Sequence, residues 1–378
     1  MAIPTSCRPR AISQESPFMA QQHINLGTQS DGKDGDTNRV AWQKTEANFN
    51  ELYGGALSVA TFKNRIVNGS FDIWQRGTSF SSTGYCADRF LVQQTGTTIN
   101  ATRQAFAIGQ SAVPDNPAYF MRCAVSSVAG AGNACYLAQR IESVASLAGK
   151  RVTVSFYAKA DAARKIALEA TQYFGSGGPA SINAIGVTSF NVTGDWQRFS
   201  ATFDVPALVN TAMGPYGDDF LQIALWMDAG GNYNGRTNTL GQQSGTFDFA
   251  QVQLEIGGAA TSFDVRPKAI EQQLCNRYCY AFNAAIGTGI GVGTQHNATS
   301  TFVPLPLPTA MRASPSMRNL GSPIRWVGAA SNTSDPALGV INQGLVCLIF
   351  TVSGGAQWSS GYAASSGGPL SLLMEAEL

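Results

Sequence analysis

NRIVNGSFDIWQRGTSFSSTGYCADRFLV, residues Asn64 to Val92, is the stretch around which the chain is organised. It opens on the apolar pair Ile66 and Val67 and turns at Asn68-Gly69. Phe71, Ile73 and, further on, Phe80 are then spaced by polar residues. Period-two alternation broken by Asn-Gly and Arg-Gly turn signals predicts a short β-strand entering a sandwich. Phe71, Ile73 and Trp74 read as the packing residues of that strand rather than as a binding motif. The stretch marks where an N-terminal region ends and a sandwich begins.

Downstream, the same alternation recurs at Ala118 to Val125, Ala134 to Ile141, Arg151 to Lys159 and Lys165 to Phe174. It continues at Trp196 to Val205, Phe220 to Met227 and Phe247 to Ile256. In VTVSFYAKA, Val152, Val154, Phe156 and Ala158 share one face. Short alternating segments divided by Gly, Asn and Asp turns predict an antiparallel sandwich or jelly roll over residues 64–268. NGSFDIWQRG followed by GYCADRF resembles the opening of a β-sandwich module that recurs in bacteriophage tail fibres and related virion appendages. In that resemblance the module closes with a strand like FDFAQVQLEIGGAATSFDVRP, Phe247 to Pro267. ESVASLAGKRVTVSFYAKAD, GDWQRFSATFDVP and FLQIALWMD resemble pieces of carbohydrate-binding jelly-roll modules. The resemblance implies the fold, and fold alone does not specify a ligand.

Residues 1–63 read differently. The first 25 or so carry Pro4, Pro9 and Pro17 without periodicity, as an extended arm does. DGKDGD is a turn cluster, after which Thr37 or Asn38 caps a helix that runs to Leu52-Tyr53 and stops at Gly54-Gly55. Trp42, Thr45, Phe49 and Leu52 follow one another in the a/d rhythm of a helix bundled against copies of itself. A helix this short is marginal alone, so its apolar stripe needs a partner, whether copies of itself or its own sandwich. INLGTQSDGKDGDTNRVAWQKTEANFNELY resembles the N-terminal segment of many phage tail fibres, which implies an anchoring and oligomerising element. DGKDGD is no calcium loop: counted from Asp31, the third, fifth and twelfth positions are Lys33, Gly35 and Trp42, not oxygen ligands.

Residues 269–378 begin with AIEQQLCNRYCYAF, read as a helix from Ala269 to Phe282 with Leu274, Tyr278 and Phe282 on one line. Gly-rich strands follow in FVPLPLPTAMRASPSM, SPIRWVG and GLVCLIFTV. GGPLSLLMEAEL forms a last strand with Leu370, Leu372, Met374 and Ala376 on one face. The arrangement resembles the C-terminal domain that follows such sandwiches in phage fibres. The expected fold class is therefore mainly β: a jelly-roll sandwich with a short N-terminal anchoring helix and a small C-terminal β domain led by a helix.

Composition narrows the function. The chain has 378 residues, 13% charged, with a net charge of +1 and no cluster of Lys and Arg, so no nucleic-acid partner is expected. No apolar run reaches the roughly 18 residues of a membrane span, and the first residues lack a signal-peptide core. Synthesis in a host cytoplasm and assembly into a virion fit both. The cysteines at 7, 86, 123, 135, 275, 279 and 347 form no CxxC and have no His beside them, so buried free thiols are expected, with no metal and no cofactor. A later-oxidised pair such as Cys123 and Cys135 is the alternative.

The two histidines, His23 and His296, lack a nucleophile elbow, and GIGVG, Gly289 to Gly293, lacks the strand and helix of a nucleotide site. A polysaccharide depolymerase needs only two carboxylates about 5 to 10 Å apart. Asp72, Asp88, Glu142, Asp204, Asp219, Asp228, Asp248 and Glu255 are candidates, yet most sit at turns and strand ends, where carboxylates cap. Nor does the chain carry β-helix repeats. No enzyme is expected. Sugars favour aromatic platforms flanked by amides and carboxylates. The best local composition is Trp226 and Asp228 followed by Asn232, Tyr233, Asn234 and Arg236, with Tyr233 exposed and the face of Trp226 undecided. A structural Ca²⁺ held by Asn68, Asp72, Asp248 and Glu255 is weighed against ordinary turn and strand-edge groups, which account for them more simply. The sequence thus points to a homotrimeric bacteriophage fibre, held to other virion proteins by its N-terminal segment and attaching to host-surface polysaccharide. The alternatives are a neck, collar or head fibre without a receptor role, and a depolymerase.

Overall fold

A computed structural model describes residues 23–28, 33–54, 62–285, 289–297, 299–321, 324–327, 336–352, 360–365 and 370–378. The chain divides into two units, Met1–Ala60 and Thr61–Leu378.

In the first unit, helix α1 spans Asn38–Gly54. Thr37 caps it: its side-chain oxygen accepts from the Val40 amide at 3.4 Å. Asp34 and Asp36 of the acidic turn accept from the Thr28 and Asn25 amides, both at 2.8 Å, and Lys44 pairs with Asp36 at 2.7 Å. These oxygens fasten the segment before the turn to the helix. On α1, Trp42 is 73% exposed and the Thr45 hydroxyl donates back to Ala41 O. The side chains of Phe49 and Leu52 lie outside the described residues.

The second unit is mainly β. Its first twelve strands are β1 (Ser79–Phe80), β2 (Gly84–Tyr85), β3 (Phe90–Thr95), β4 (Thr98–Ala105), β5 (Tyr119–Ser126) and β6 (Ala134–Glu142), followed by β7 (Arg151–Ala160), β8 (Arg164–Tyr173), β9 (Ile182–Val192), β10 (Gln197–Asp204), β11 (Phe220–Ala229) and β12 (Gly245–Ile256). They form two six-stranded antiparallel sheets, β1-β4-β5-β12-β7-β10 and β2-β3-β6-β11-β8-β9. The alternation that identifies the strands also builds the core. Val152, Val154, Phe156 and Ala158 of β7 meet Leu221, Ile223, Leu225 and Met227 of β11 in one buried cluster, with Phe247, Phe249 and Phe71. Burying each large apolar side chain contributes about 1.5–3 kcal/mol.

NGSFDIW is not a strand. Asn68 and Phe71 have φ of +59° and +57°, which extended pairing does not allow. The Asn68 side chain takes the place of a ladder: its Oδ1 accepts from Ile73 N at 3.0 Å, and its Nδ2 donates to Ile73 O at 2.8 Å and Asp88 O at 3.1 Å. The preceding residues run against the closing strand, Arg65 N donating to Leu254 O and Val252 N to Gly69 O. Gly69 is required there, since a Cβ would lie 2.1 Å from Val252 O. Phe71 is fully buried in the sandwich core, and Trp74 and Phe80 pack at its margin.

After the short helix α2 (Asn234–Thr237), the last part opens with α3 (Lys268–Asn276), shorter than the sequence suggests. Tyr278 and Phe282 do not continue the helix. Cys279–Ala284 is strand β13, paired with β21 (Leu370–Glu375), because the edge of the final strand offers CYAFNA a ladder, and i, i+4 spacing of aromatics also arises on a strand. Between them lie β14 (Gly289–Asn297), β15 (Ser300–Pro306), β16 (Ser316–Asn319), β17 (Ile324–Val327), β18 (Ala337–Asn342), β19 (Leu345–Thr351) and β20 (Ser360–Ser365). Sheets β13-β21-β16 and β17-β20-β14-β15-β19-β18 enclose a second core around Trp326, Phe350 and Met374. No described helix is long and apolar enough to cross a membrane.

Candidate functional site

Strand registers fix what the second sheet presents on its outer face. Cys135, Leu137 and Ile141 of β6 point into the core, so Ala134, Tyr136, Ala138 and Arg140 point out. The partners of Tyr136, Ala138 and Arg140 on β11 are Trp226, Ala224 and Gln222. On β8, Ala167, Glu169 and Thr171 continue the same rows, and Leu91 and Gln93 of β3 begin two of them. Alanines 138 and 224 thus form a floor between an aromatic row and a polar row. Gln93, Tyr136, Arg140, Tyr173, Tyr233 and Arg236 are half-buried, so rings and hydrogen-bonding ends reach the surface together.

Glu169 organises one end of this face. It is fully buried, and its carboxylate accepts from Trp226 Nε1 at 3.1 Å, Arg236 Nε at 2.7 Å, Arg236 Nη2 at 2.9 Å and Ala184 N at 2.9 Å. The last bond holds Ala184 at φ +59°, next to the register shifts between β8 and β9. Burial works against the charge on Arg236, but Glu169 outweighs it and holds the guanidinium above its ordinary pKa. The same guanidinium lies 5.1 Å above the Trp226 ring. Tyr136 and Tyr233 pack on that ring at centroid distances of 4.5 and 5.2 Å. Burial pushes the Tyr136 phenol up, so it stays a neutral donor and acceptor at physiological pH. At the other end, Arg140 lies 4.6 Å over Phe220, and its Nε donates to Gln222 Oε1 at 3.4 Å.

The six residues singled out in the sequence are distributed unevenly. Trp226, Tyr233 and Arg236 come together around Glu169. Trp226, 1% exposed, is the support beneath Tyr136, Tyr233 and Arg236 rather than an open platform. Tyr233 is half-buried rather than exposed, with its hydroxyl on Gly132 O at 3.3 Å. Asn232 is exposed in the turn that leads into α2 (Asn234–Thr237), and Asn234 is exposed at the first position of that helix. Asp228 is fully buried and accepts from Thr97, Ser127 and the Gln243 amide, so it holds the loop rather than a ligand. Tyr136, Glu169, Arg140 and Gln222 stand on the same face, and the local composition of the sequence does not single them out. ACYLAQRIE carries its aromatic and its arginine on the face opposite Leu137, and that is the signal the sequence offers.

Most of the candidate carboxylates have structural partners. Asp88 accepts from Gln75, Glu142 from Arg277 and Tyr278, Asp248 from Arg122, and Glu255 from Gln253 and Thr261. Asn68, Asp248 and Glu255 are each taken up by other partners, and no cluster of three His, Cys, Asp or Glu among the described residues could hold a metal ion. The six described cysteines are free and buried, and burial pushes the Cys86 thiol up to about 12.

Residues 130–213, from the turn before β6 to beyond β10, match the carbohydrate binding domain family CBM_4_9. Among solved structures, one described as a CBM4 structure is 19% identical, covering 50% of this chain and 98% of its own at a TM-score of 0.29. The N-terminal cellulose-binding domain of Cellulomonas fimi β-1,4-glucanase C is 16% identical over 50% of this chain and 95% of its own, TM-score 0.30. The enzymatically active domain of bacteriophage CBA120 tailspike protein 4 is 14% identical over 52% of this chain but 22% of its own, TM-score 0.31. No curated protein sequence matches the chain.

Proposed function

We propose that the protein is a non-enzymatic bacteriophage virion fibre, of the tail, that attaches to host-surface saccharide through the outer face of the second sheet. The observation that carries the saccharide reading is the Tyr136 row: a half-buried ring on the Trp226 support, flanked by Gln93 and by Arg236 that Glu169 holds in place. Ring faces suit the C–H faces of sugars, and the amide and guanidinium groups suit hydroxyls. The family match over residues 130–213 supports the same ligand class. The fibre part rests on the resemblance of the segments around DGKDGD and NGSFDIWQRG, and on the separate N-terminal unit whose helix exposes Trp42. In this reading that helix joins three copies and holds them to other virion proteins.

Adsorption to intact host cells, with the chain length of host polysaccharide followed in the same mixture, tests the proposal. Adsorption without shortening is the expected result. Shortened chains would make the protein a depolymerase, and absence of adsorption would leave a structural fibre without a receptor role.

A further inference from the structure

Away from the outer face of the second sheet, a cavity of about 380 Å³ lies where the opening stretch, the loop before β5, the bulge of β12 and the segment leading into α3 converge. Tyr119 and Phe263, both half-buried, contribute rings to its wall. Asp72, Asp115, Asn116 and Lys268 contribute polar ends. Among the described residues, the side chains of Asp115, Asn116 and Lys268 have no hydrogen-bond or ion-pair partner. Asp264, Arg266 and Glu271 of the same wall pair with one another and are not available.

Gln251 is the second observation. It lines the cavity, is 4% exposed, and donates from Nε2 to Pro114 O at 2.8 Å, while its Oε1 is buried without a hydrogen-bond partner. Exchanging the two ends of the amide would set oxygen against the Pro114 carbonyl, so the unpartnered atom is an acceptor. An unmet buried acceptor costs free energy and is met by a donor. A neighbouring hollow of about 450 Å³ shares Asp72 and Lys268 and adds Trp74, Gln75 and Tyr280 from the seam with the C-terminal domain.

We infer that this seam is a second saccharide site, taking neutral hexose units of an oligosaccharide. Hydroxyls donate to Asp72, Asp115 and Gln251 Oε1 and accept from Lys268 and Asn116, while Tyr119 and Phe263 meet the ring faces. Carboxylate and ammonium groups in one wall suit a neutral polyol better than an anion. The volume is in the range of small-ligand sites, about 300–1,000 Å³. The site does not depend on the outer face of the second sheet, whose residues it does not share.

Saturation-transfer NMR on the full chain tests it, with glucose, galactose, mannose and N-acetylglucosamine as probes and calcium chloride as a separate arm. In a Tyr136→Leu background, which silences the outer face of the second sheet, at least one sugar should still receive saturation. Its affinity should fall at least tenfold when the exposed residues are changed as well, Asp115→Ala with Lys268→Met. No transfer to any sugar in that background would overturn the inference. So would an affinity left unchanged by the added pair, or calcium stabilising the chain through Asp115 while no sugar binds.

Discussion

Asn68 carries on one side chain what a strand pair spreads over several residues. Its three hydrogen bonds, to both backbone groups of Ile73 and to Asp88 O, hold the left-handed turn that sets Phe71 into the core. Asn68→Ala removes them and leaves buried groups unpaired, which should cost about 2–4 kcal/mol in urea unfolding, at roughly 1 kcal/mol per bond. An unchanged midpoint would mean the turn holds without them. Glu169→Gln has a different signature. It leaves the shape of the site and removes the charge beneath Arg236, whose partial exposure moderates the loss to about 1–2 kcal/mol. Arg236 should then lose its fixed position over Trp226, seen as a shift of the indole signal. These residues were hard to read in sequence for a common reason. NGSFDIW has the alternation of a strand, and nothing local shows that Asn68 reaches Asp88. Trp226 was named, but its exposure depends on Tyr136 from β6 and Arg236 from the loop, contacts that span the sheet.

Elements were more legible than residues where one face of a strand meets the core between the sheets. β5, β6, β7, β8, β10, β11 and β12 lie where alternation placed them because each turns one face to the core between the sheets. β9 escaped, since INAIGVTSFNV bends at Ala184 and Gly186 and loses its period. The helix read to Phe282 failed for the opposite reason, a helical spacing inside an edge strand. The strand and helix of this junction are held to the sandwich by ions. Glu142 accepts from Arg277 at 2.7 Å, and Arg76 donates to Glu375 at 2.7 Å and to Glu377 at 2.9 Å. Burial alone would raise Glu375 and Glu142, but their arginine partners outweigh it and hold both below the ordinary 4.5. A depressed folded pKa contributes stability above the unfolded value and loses it as pH falls through the folded one. Asp88, raised by burial, works in the opposite sense and softens the change. The urea midpoint should therefore decline from these two groups only below about pH 4.5, and Arg277→Gln should flatten that decline. A decline already present between pH 7 and 5.5 would point to other groups.

At the scale of the molecule, the bracket between residues 64–69 and β12 closes the sandwich, and the two surfaces proposed for ligand are the outer face of the second sheet and the seam beside the opening stretch. Asp72, Trp74 and Gln75 of the opening stretch line that seam. Mass photometry should find three copies of the 39.9 kDa chain together, and Trp42→Ala should shift the population to single chains. A dimer, or a monomer at all concentrations, would remove the bundling role of α1. The outer face of the second sheet is proposed to bind saccharide through the Tyr136 row. Calorimetric titration of the full chain with purified host-surface polysaccharide, wild type against Tyr136→Leu, measures that binding. Binding should weaken about tenfold, roughly 1.4 kcal/mol, with the melting temperature nearly unchanged. Equal affinity in the two proteins, or no heat of binding in the wild type, would contradict it.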